Sequence, residues 1–188
     1  MGGLKAVLCS QNPNKARELE RLLPGWAIAP LAAVEYPPET GESYYENARA
    51  KARFGRAVGD RGVWMIGEDS GIEAQALNGR PGVHSARAGG DDPVAWLLAE
   101  LDGAGNRRAR YVSELVALSP DGVEVRGSGT LEGAIAAESR GSEGFGYDPV
   151  FVPEGELRTV AELGNDWKAS NSHRARAAAA LLAALPPA

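Results

Sequence analysis

The chain has 188 residues and a formal net charge of −5, with 44% hydrophobic and 24% charged residues. This composition predicts one domain with its own core, and the acidic balance argues against a surface for a nucleic-acid polymer, which Lys and Arg would have to bind. No apolar run approaches the roughly 20 residues that cross a bilayer, so no membrane association is expected. The single cysteine, Cys9, excludes an intrachain disulfide and favours a reducing, cytoplasmic location.

The first part of the sequence predicts a strand, a polar loop and a helix. The strand is the apolar run at residues 6–9, and the loop is the turn-forming segment at residues 10–15. Regularly spaced leucines then predict an amphipathic helix that ends at Pro24. A loop that enters a helix presents backbone N–H groups and the positive end of the helix dipole, which favour a phosphate group, and Lys15 adds a positive charge. The segment lacks the glycines of a Walker sequence, so a junction that binds no ligand is the alternative.

A second strand is predicted within residues 27–34, followed by a helix over residues 43–58. Ser43 and the glutamate three residues later predict a capping box at the start of this helix. Glu39 lies in the preceding loop and Lys51 on the helix. Taken alone, both side chains are compatible with ordinary solvated charges.

An acidic motif, Gly-Glu-Asp-Ser-Gly at residues 67–71, follows the apolar run at residues 63–66. We predict a loop here, at the end of a buried strand, where α/β proteins usually bind ligands. Carboxylates that lose water must be paired or must bind a metal ion. The motif therefore predicts a magnesium site facing an anionic substrate, and a solvated acidic turn is the alternative.

The middle of the sequence begins with a loop and a helix. Residues 79–90 are rich in Gly and Pro and predict a binding loop. His84 has no second metal ligand nearby and is expected to be structural. Asp92 and Pro93 then predict the cap and first turn of a helix that continues to residue 101.

A hairpin follows. Residues 111–118 and 123–135 are predicted strands that flank the turn signal Ser-Pro-Asp-Gly. Because this hairpin breaks the alternation of strands and helices, the sheet is predicted to be mixed.

The last part of the sequence combines a glycine-rich loop with a helix. In residues 141–149, Phe145 lies between glycines and is predicted either to stack on a planar ligand or, with Tyr147, to fill the edge of the core. Residues 172–185 predict an alanine-rich helix with two cationic side chains, His173 and Arg174, in its first turn. Cations at that position oppose the helix dipole, so an acceptor-rich partner is expected, and Lys168 just upstream supports the same interpretation.

Five blocks of sequence, in this order and spacing, resemble the inosine triphosphate pyrophosphatase family over nearly the whole chain. They are Ser-Gln-Asn-Pro-Asn-Lys at 10–15, the Glu-Thr-Gly to Lys segment at 39–51, Glu-Asp-Ser-Gly at 68–71 with Pro-Gly-Val-His-Ser-Ala-Arg at 81–87, Phe-Gly-Tyr-Asp-Pro at 145–149, and Lys168 with Ser-His-Arg at 172–174. Three positions depart from the family. Ser10-Gln11 stands where Thr-Gly is common, Glu68 where bacterial members often have Asp, and Asn171 where an apolar residue is frequent.

The resemblance implies an α/β fold with a mixed central sheet flanked by helices and a β-hairpin extension that forms a second lobe. It implies a single pyrophosphatase domain over residues 1–188, with the nucleotide cleft between two lobes. The implied activity is hydrolysis of ITP, dITP and XTP to the nucleoside monophosphate and pyrophosphate. Family members are commonly homodimers, so a homodimer is expected.

The resemblance also assigns roles to individual residues. Glu39 and Asp69 would bind Mg²⁺, and Asp69 would be the general base, with Glu68 as the alternative base. The triphosphate would be held by Lys51 and the first loop, and the base by donors and a stacking ring. The implied substrate-binding residues are Ser10, Gln11, Asn12, Pro13, Asn14, Lys15, Lys51, Ser70, Phe145, Gly146, Tyr147, Asp148, Lys168, His173 and Arg174.

Base selection has a chemical explanation within this assignment. A 6-keto purine offers an acceptor where adenine offers an amino donor, so donation from Lys168, His173 and Arg174 would favour hypoxanthine and xanthine. Phe145 would stack on the ring, and Asp148 would either meet the N1 edge of the base or close its loop.

Two other functions remain open at this point. The chain could be a Maf-like pyrophosphatase that acts on pyrimidine or modified nucleotides, or a regulator that binds a nucleoside triphosphate without cleaving it. A substrate panel distinguishes the Maf-like enzyme from a purine-specific one. Pyrophosphate release with magnesium would exclude the non-catalytic regulator.

Overall fold

A mixed β-sheet flanked by helices forms the framework of the protein. The computed structural model describes residues 4–32 and 35–186, and within these residues six strands are present: β1 (Leu4–Leu8), β2 (Trp26–Pro30), β3 (Trp64–Ala74), β4 (Arg108–Leu118), β5 (Glu124–Ile135) and β6 (Phe151–Pro153). Their order in the sheet is β2-β1-β3-β4-β5-β6. β1 is parallel to β2 and β3, whereas β6 is antiparallel to β5, so the predicted mixed sheet is confirmed.

The same residues contain five α-helices: α1 (Pro13–Leu22), α2 (Tyr44–Val58), α3 (Pro93–Glu100), α4 (Val160–Asn171) and α5 (His173–Ala183). Over residues 4–32 and 35–186, no helix has the length and apolar character that crossing a membrane requires.

The chain divides into two compact units. The first contains Met1–Asp69, Ser113–Gly129 and Arg174–Ala188, and the second contains Ser70–Val112 and Thr130–His173. β3, β4 and β5 each contribute residues to both units. In the sheet, the hairpin strands β4 and β5 lie between β3 and β6.

In the first unit, apolar side chains cover both faces of the sheet. On one face, Leu8 and Ile66 pack with Leu19 of α1 and Leu181 of α5. On the other face, Met65 packs with a second cluster that includes small residues of α2. Cys9 belongs to this second cluster, and burial raises the pKa of its thiol to about 12. The thiol is therefore protonated and has a packing role.

Glycine allows α2 to lie directly on β3. A Cβ atom at Gly67 would lie 1.9 Å from the carbonyl oxygen of Ala48, and one at Gly55 would lie 2.1 Å from Cys9 Sγ. The start of α2 is fixed by Ser43, whose side chain accepts from the backbone of Glu46 in the predicted capping box. The helix is thus held close to the strand that carries the acidic motif.

The second unit has its own core, in which Leu97 of α3 packs in one cluster with Ile72, Tyr111 and Phe151. Asp92 caps α3 and a proline occupies its first turn, as predicted. Residues 79–90 contain a short 3₁₀ helix and turns, consistent with the predicted loop.

The sequence did not predict α4. Thr159 caps this helix in a capping box, and Gly164 interrupts it with a left-handed φ of 89°. The backbone N–H and side-chain amide of Asn165 both donate to Glu143 at 2.9 Å. The period of α4 is therefore broken at Gly164. The part of the helix after the break is capped by Glu143, which lies in the loop before β6.

One structural prediction was wrong. The acidic motif was expected in a loop, but β3 runs through Trp64–Ala74 and includes it. A strand can bury these carboxylates because cations from the surrounding helices pair with them, as described below. The other expected elements are present within a few residues of their predicted ends, and Ala33 and Val34 of the predicted second strand lie outside the described residues.

The contact at Gly67 yields a stability prediction. Gly67→Ala should lower the free energy of unfolding by about 3 kcal/mol, since the methyl group overlaps the backbone of α2. Urea denaturation measures this loss. Gly105→Ala is the control, because its Cβ would meet no atom within 4 Å, and a change within about 0.5 kcal/mol is expected there. Equal stability of the two variants would contradict the packing described.

Candidate active site

A lysine in the first unit joins two carboxylates from separate segments. Lys51 Nζ lies 2.5 Å from Glu39 Oε1 and 2.8 Å from Asp69 Oδ1, and it also donates to the carbonyl oxygen of Glu68. Burial opposes the charge of Lys51, but the two carboxylates outweigh it, and the pKa of Lys51 is raised. The loop before α2, the helix itself and β3 therefore meet at one ammonium group.

Asp69 is almost fully enclosed, and both of its oxygens accept hydrogen bonds. Lys51 contacts Oδ1, and the side-chain amide of Asn47 donates to Oδ2 at 3.1 Å. Burial raises the pKa of Asp69, and the nearby lysine offsets this effect only in part. Asp69 is thus a stronger proton acceptor than a solvated aspartate.

Glu68 has the opposite electrostatic character. Its side chain is 0% exposed and is paired with Lys15 at 2.6 Å and with Arg174 Nε at 3.1 Å, while Ser113 donates to it at 3.1 Å. Burial opposes ionisation, but Arg174 and Lys15 outweigh it and hold the pKa of Glu68 well below its usual range. Glu68 is therefore a fixed anion that neutralises two cations.

Arg174 occupies the first turn of α5, as the sequence predicted, and its side chain is buried. It pairs with Glu68 and, through Nη1, with Glu18 of α1. These carboxylates raise its pKa. The structure thus gives Arg174 a countercharge role, and its predicted role as a donor to the base stays a prediction.

The first loop is organised around the start of α1. Asn12 is the N-cap, and its side chain accepts from the N–H of Asn14, while Ser10 Oγ accepts from the N–H of Asn12. Pro13 occupies the first turn of α1 and Gln11 is exposed. The loop and Lys15 lie at one helix end as predicted, although its own side chains occupy two of the loop's N–H groups.

The second unit gathers a separate set of predicted residues around Asp148. This buried carboxylate accepts from Lys168 Nζ at 2.7 Å, Tyr111 Oη at 3.2 Å and the backbone N–H of Phe145 at 2.9 Å. Lys168 Nζ also lies 4.6 Å from the centre of the Phe145 ring. The ring of His173 stacks on Tyr111 at a centroid distance of 4.4 Å.

Further contacts hold the loop around Phe145 in place. Asp148 closes its loop by accepting from Phe145. Gly144 is required there because a Cβ atom would lie 2.2 Å from Asp148 Oδ2. Tyr147 fills the core and donates to the carbonyl oxygen of Ser85 at 3.0 Å, and burial raises its pKa to about 12. Phe145 is only partly buried.

The two remaining predicted substrate-binding residues have simpler settings. Ser70 is half-buried and follows Asp69 in β3, and Gly146 is exposed with a φ of 62°.

Sequence reasoning missed several residues that hold these groups in place. Asn47 carried a detectable signal, because it lies one helical turn before Lys51 and next to the capping box. Ser113 and Tyr111 lie in an apolar strand and gave none. Glu143 and Glu18 resemble ordinary surface charges in sequence, and only the fold brings them to Asn165 and Arg174.

The donor set suits a hard divalent cation that keeps water ligands. Over residues 4–32 and 35–186 there is no cluster of three or more His, Cys, Asp and Glu side chains arranged for a metal ion. Glu39 and Asp69 nevertheless already converge on one positive charge. Mg²⁺ is commonly bound by one or two carboxylates together with substrate phosphates and waters, so two carboxylates suffice.

The chain is similar to known proteins over nearly its whole length. The sequence profile of the Ham1 family matches residues 6–184. The dITP/XTP pyrophosphatase of Deinococcus deserti is 43% identical over 195 residues, covering 98% of this chain and 93% of that protein. A dITP/XTP pyrophosphatase of Thermus thermophilus is 44% identical over 194 residues, covering 97% and 92%.

Solved structures show the same fold. The Ham1 protein of Staphylococcus aureus superposes with a TM-score of 0.82 at 32% identity, covering 95% of this chain and 96% of that one. A HAM1 protein from Coxiella burnetii gives a TM-score of 0.81 at 34% identity, covering 94% and 95%.

Glu68 yields a prediction for stability and its pH dependence. Glu68→Gln leaves Lys15 without its carboxylate and Arg174 with Glu18 alone, and it should lower the free energy of unfolding by about 3–5 kcal/mol at pH 7. Folding lowers the pKa of Glu68, so its contribution is complete above the ordinary value of 4.5 and is lost as the pH falls further. Urea denaturation between pH 7 and pH 3 should therefore show a smaller acid-induced loss in the variant.

Glu20→Gln is the matched control, since Glu20 is an exposed residue of α1. A Glu68→Gln protein as stable as this control would contradict the buried ion network.

Proposed function

Since this chain belongs to the Ham1 family, we propose that it hydrolyses nonstandard purine nucleoside triphosphates, namely ITP, dITP and XTP. The products are the nucleoside monophosphate and pyrophosphate. The proteins named dITP/XTP pyrophosphatase that it resembles support this substrate class.

The convergence of Glu39 and Asp69 on Lys51 is the observation that carries the proposal. Two carboxylates and one ammonium group provide a site for a divalent cation beside a site for a phosphate oxygen.

We propose Mg²⁺ as the cofactor, with Glu39 and Asp69 as its protein ligands. When bound, Mg²⁺ would neutralise negative charge on the phosphates. The chain itself supplies cations for the same purpose: Lys15, Lys51 and the loop from Ser10 to Lys15 bind the triphosphate. Lys15 can turn from Glu68 to a phosphate because Arg174 still neutralises Glu68.

Asp69 is the proposed general base. It accepts a proton from a water molecule while the water oxygen forms a bond to phosphorus and the anhydride bond between the α- and β-phosphates breaks, so that pyrophosphate leaves. The raised pKa of Asp69 supports this assignment over Glu68, whose oxygens are engaged by Lys15, Arg174 and Ser113. A carboxylate bound directly to a metal ion is a weak base, so the two proposed roles of Asp69 compete for its oxygens.

The cluster around Asp148 is the proposed binding site for the purine base of the nucleotide. Phe145 stacks on the purine ring, and Lys168 and His173 donate to its 6-keto oxygen, with Arg174 as a further proposed donor. Asp148 fixes Lys168 and the Phe145 backbone in the orientation this requires. Adenine would present an amino donor to these donors, which accounts for its exclusion.

The wider setting of the enzyme is also a proposal. We propose a homodimer from the family resemblance, and light scattering measures the oligomeric state. We propose a cytoplasmic location from the single cysteine, whose thiol is free and buried. The organisation as one domain with two lobes stays a prediction.

The substrate class is tested with a nucleotide panel. Pyrophosphate release with Mg²⁺ should favour ITP, dITP and XTP over ATP by a factor on the order of 10⁴ in kcat/KM, since the donors find no acceptor on adenine. Release is measured with ITP, dITP, XTP, GTP, ATP, dTTP and UTP, with and without Mg²⁺. Preference for dTTP or UTP would point to a Maf-like enzyme, and binding of ITP without release would point to a regulator.

The catalytic role of Asp69 is tested by Asp69→Asn. This isosteric change should lower kcat for ITP by about 10²–10⁴-fold, because the amide cannot accept the proton. Circular dichroism should show an intact fold, since the amide oxygen of the new side chain can still accept from Lys51, which also keeps its pair with Glu39. Asp102→Asn, at an exposed position, is the control. Turnover close to that of the control would refute the assignment.

A further inference from the structure

A buried amide joins Asp69 to the backbone near Glu39. Asn47 is 2% exposed and lies on the face of α2 that meets β3, one turn before Lys51. Its Nδ2 donates to Asp69 Oδ2 at 3.1 Å, and its Oδ1 accepts from the backbone N–H of Gly41 at 2.9 Å. One side chain therefore connects β3 to the segment that carries Glu39.

That segment depends on such a connection. Residues 37–41 form neither helix nor strand, and Glu39 itself is only partly buried. The hydrogen bond from Gly41 to Asn47 fixes the chain two residues after Glu39. Contact is so close that a Cβ atom at Gly41 would lie 2.6 Å from Asn47 Oδ1. The position of Glu39 is thus set from α2.

The amide group is chemically suited to this place. Lys51 already donates to Asp69 Oδ1. A second cation at Oδ2 would weaken the attraction of Asp69 for a metal ion, and an anion at the same place would repel the Asp69 carboxylate. A neutral amide donates to Oδ2 without altering the charge, and its oxygen accepts from Gly41 at the same time. Asn meets all of these requirements, whereas an apolar side chain would leave buried polar groups unpaired.

We propose that Asn47 is a positioning residue that holds Glu39 and Asp69 in the arrangement that binds the divalent cation. The inference rests on the proposed function, since it assumes that these two carboxylates are the metal ligands. The contacts that define this role are those of Asn47 with Asp69 and with the backbone of Gly41. It acts through the two carboxylates, and residues that orient metal ligands commonly change metal affinity 10–100-fold when replaced.

The test compares Asn47→Leu and Asn47→Ala with Tyr45→Phe. Leu keeps much of the side-chain volume and Ala does not, but both remove the two hydrogen bonds. Tyr45→Phe removes a hydrogen bond from another face of α2, where Tyr45 donates to Glu124 at 2.6 Å. It serves as the control for a general loosening of the helix.

Metal binding is measured directly, with Mn²⁺ as the probe, by electron paramagnetic resonance without nucleotide. The Kd for Mn²⁺ should rise at least about tenfold in both Asn47 variants and stay unchanged in Tyr45→Phe. The Mg²⁺ concentration for half-maximal pyrophosphate release from ITP should rise by a similar factor. Melting temperatures are recorded to compare variants of similar stability.

Three results would overturn the inference: a Kd for Mn²⁺ in both Asn47 variants that matches the control, recovery of metal binding by Leu but not by Ala, or no Mn²⁺ binding by the unaltered protein. Recovery by Leu would mean that Asn47 acts through volume. Failure of the proposed function is a separate result, in which the unaltered protein binds Mn²⁺ but releases no pyrophosphate from ITP.

Discussion

The neutralisation of two adjacent buried carboxylates is the constraint on which the first unit depends. Glu68 and Asp69 lie inside a strand, where unpaired charges would be strongly destabilising. Their countercharges come from three helices: Lys15 from α1, Lys51 from α2 and Arg174 from α5. The packing of these helices on the sheet therefore serves the electrostatics of β3 as much as it covers apolar surface.

The alternation of side chains along a strand explains why the two acids differ. Successive residues of β3 point to opposite faces of the sheet. Ile66 and Glu68 face α1 and α5, whereas Met65, Gly67 and Asp69 face α2. Glu68 thus meets two cations and is held ionised, while Asp69 meets one lysine and a neutral amide. One dipeptide in this way provides a fixed anion and a proton acceptor.

Sequence reasoning succeeded where the signal was local. The capping box at Ser43, the N-cap at Asp92 and the position of Arg174 in the first turn of α5 all depend on residues a few positions apart. It failed where distant residues decide the outcome. The acidic motif was predicted to lie outside the strand because nothing near it in sequence shows the helix cations that pair with it. α4 was missed although Thr159 and Glu162 form a local capping box, because Gly164 breaks its period and the distant Glu143 caps the part that follows. The family resemblance named both acids and the cations Lys15, Lys51 and Arg174, but it did not indicate which acid each cation meets.

The strand setting of the acidic motif also limits how this chain can diverge. Residues in a surface loop tolerate insertions and deletions, because neighbouring segments absorb the change in length. In β3, one added or lost residue would turn every following side chain to the opposite side. Glu68 would then face α2 and Asp69 would face α1 and α5, so neither carboxylate would meet the cations that neutralise it now. We therefore expect related sequences to vary in length elsewhere, and to have no insertion or deletion in the segment that corresponds to Trp64–Asp69.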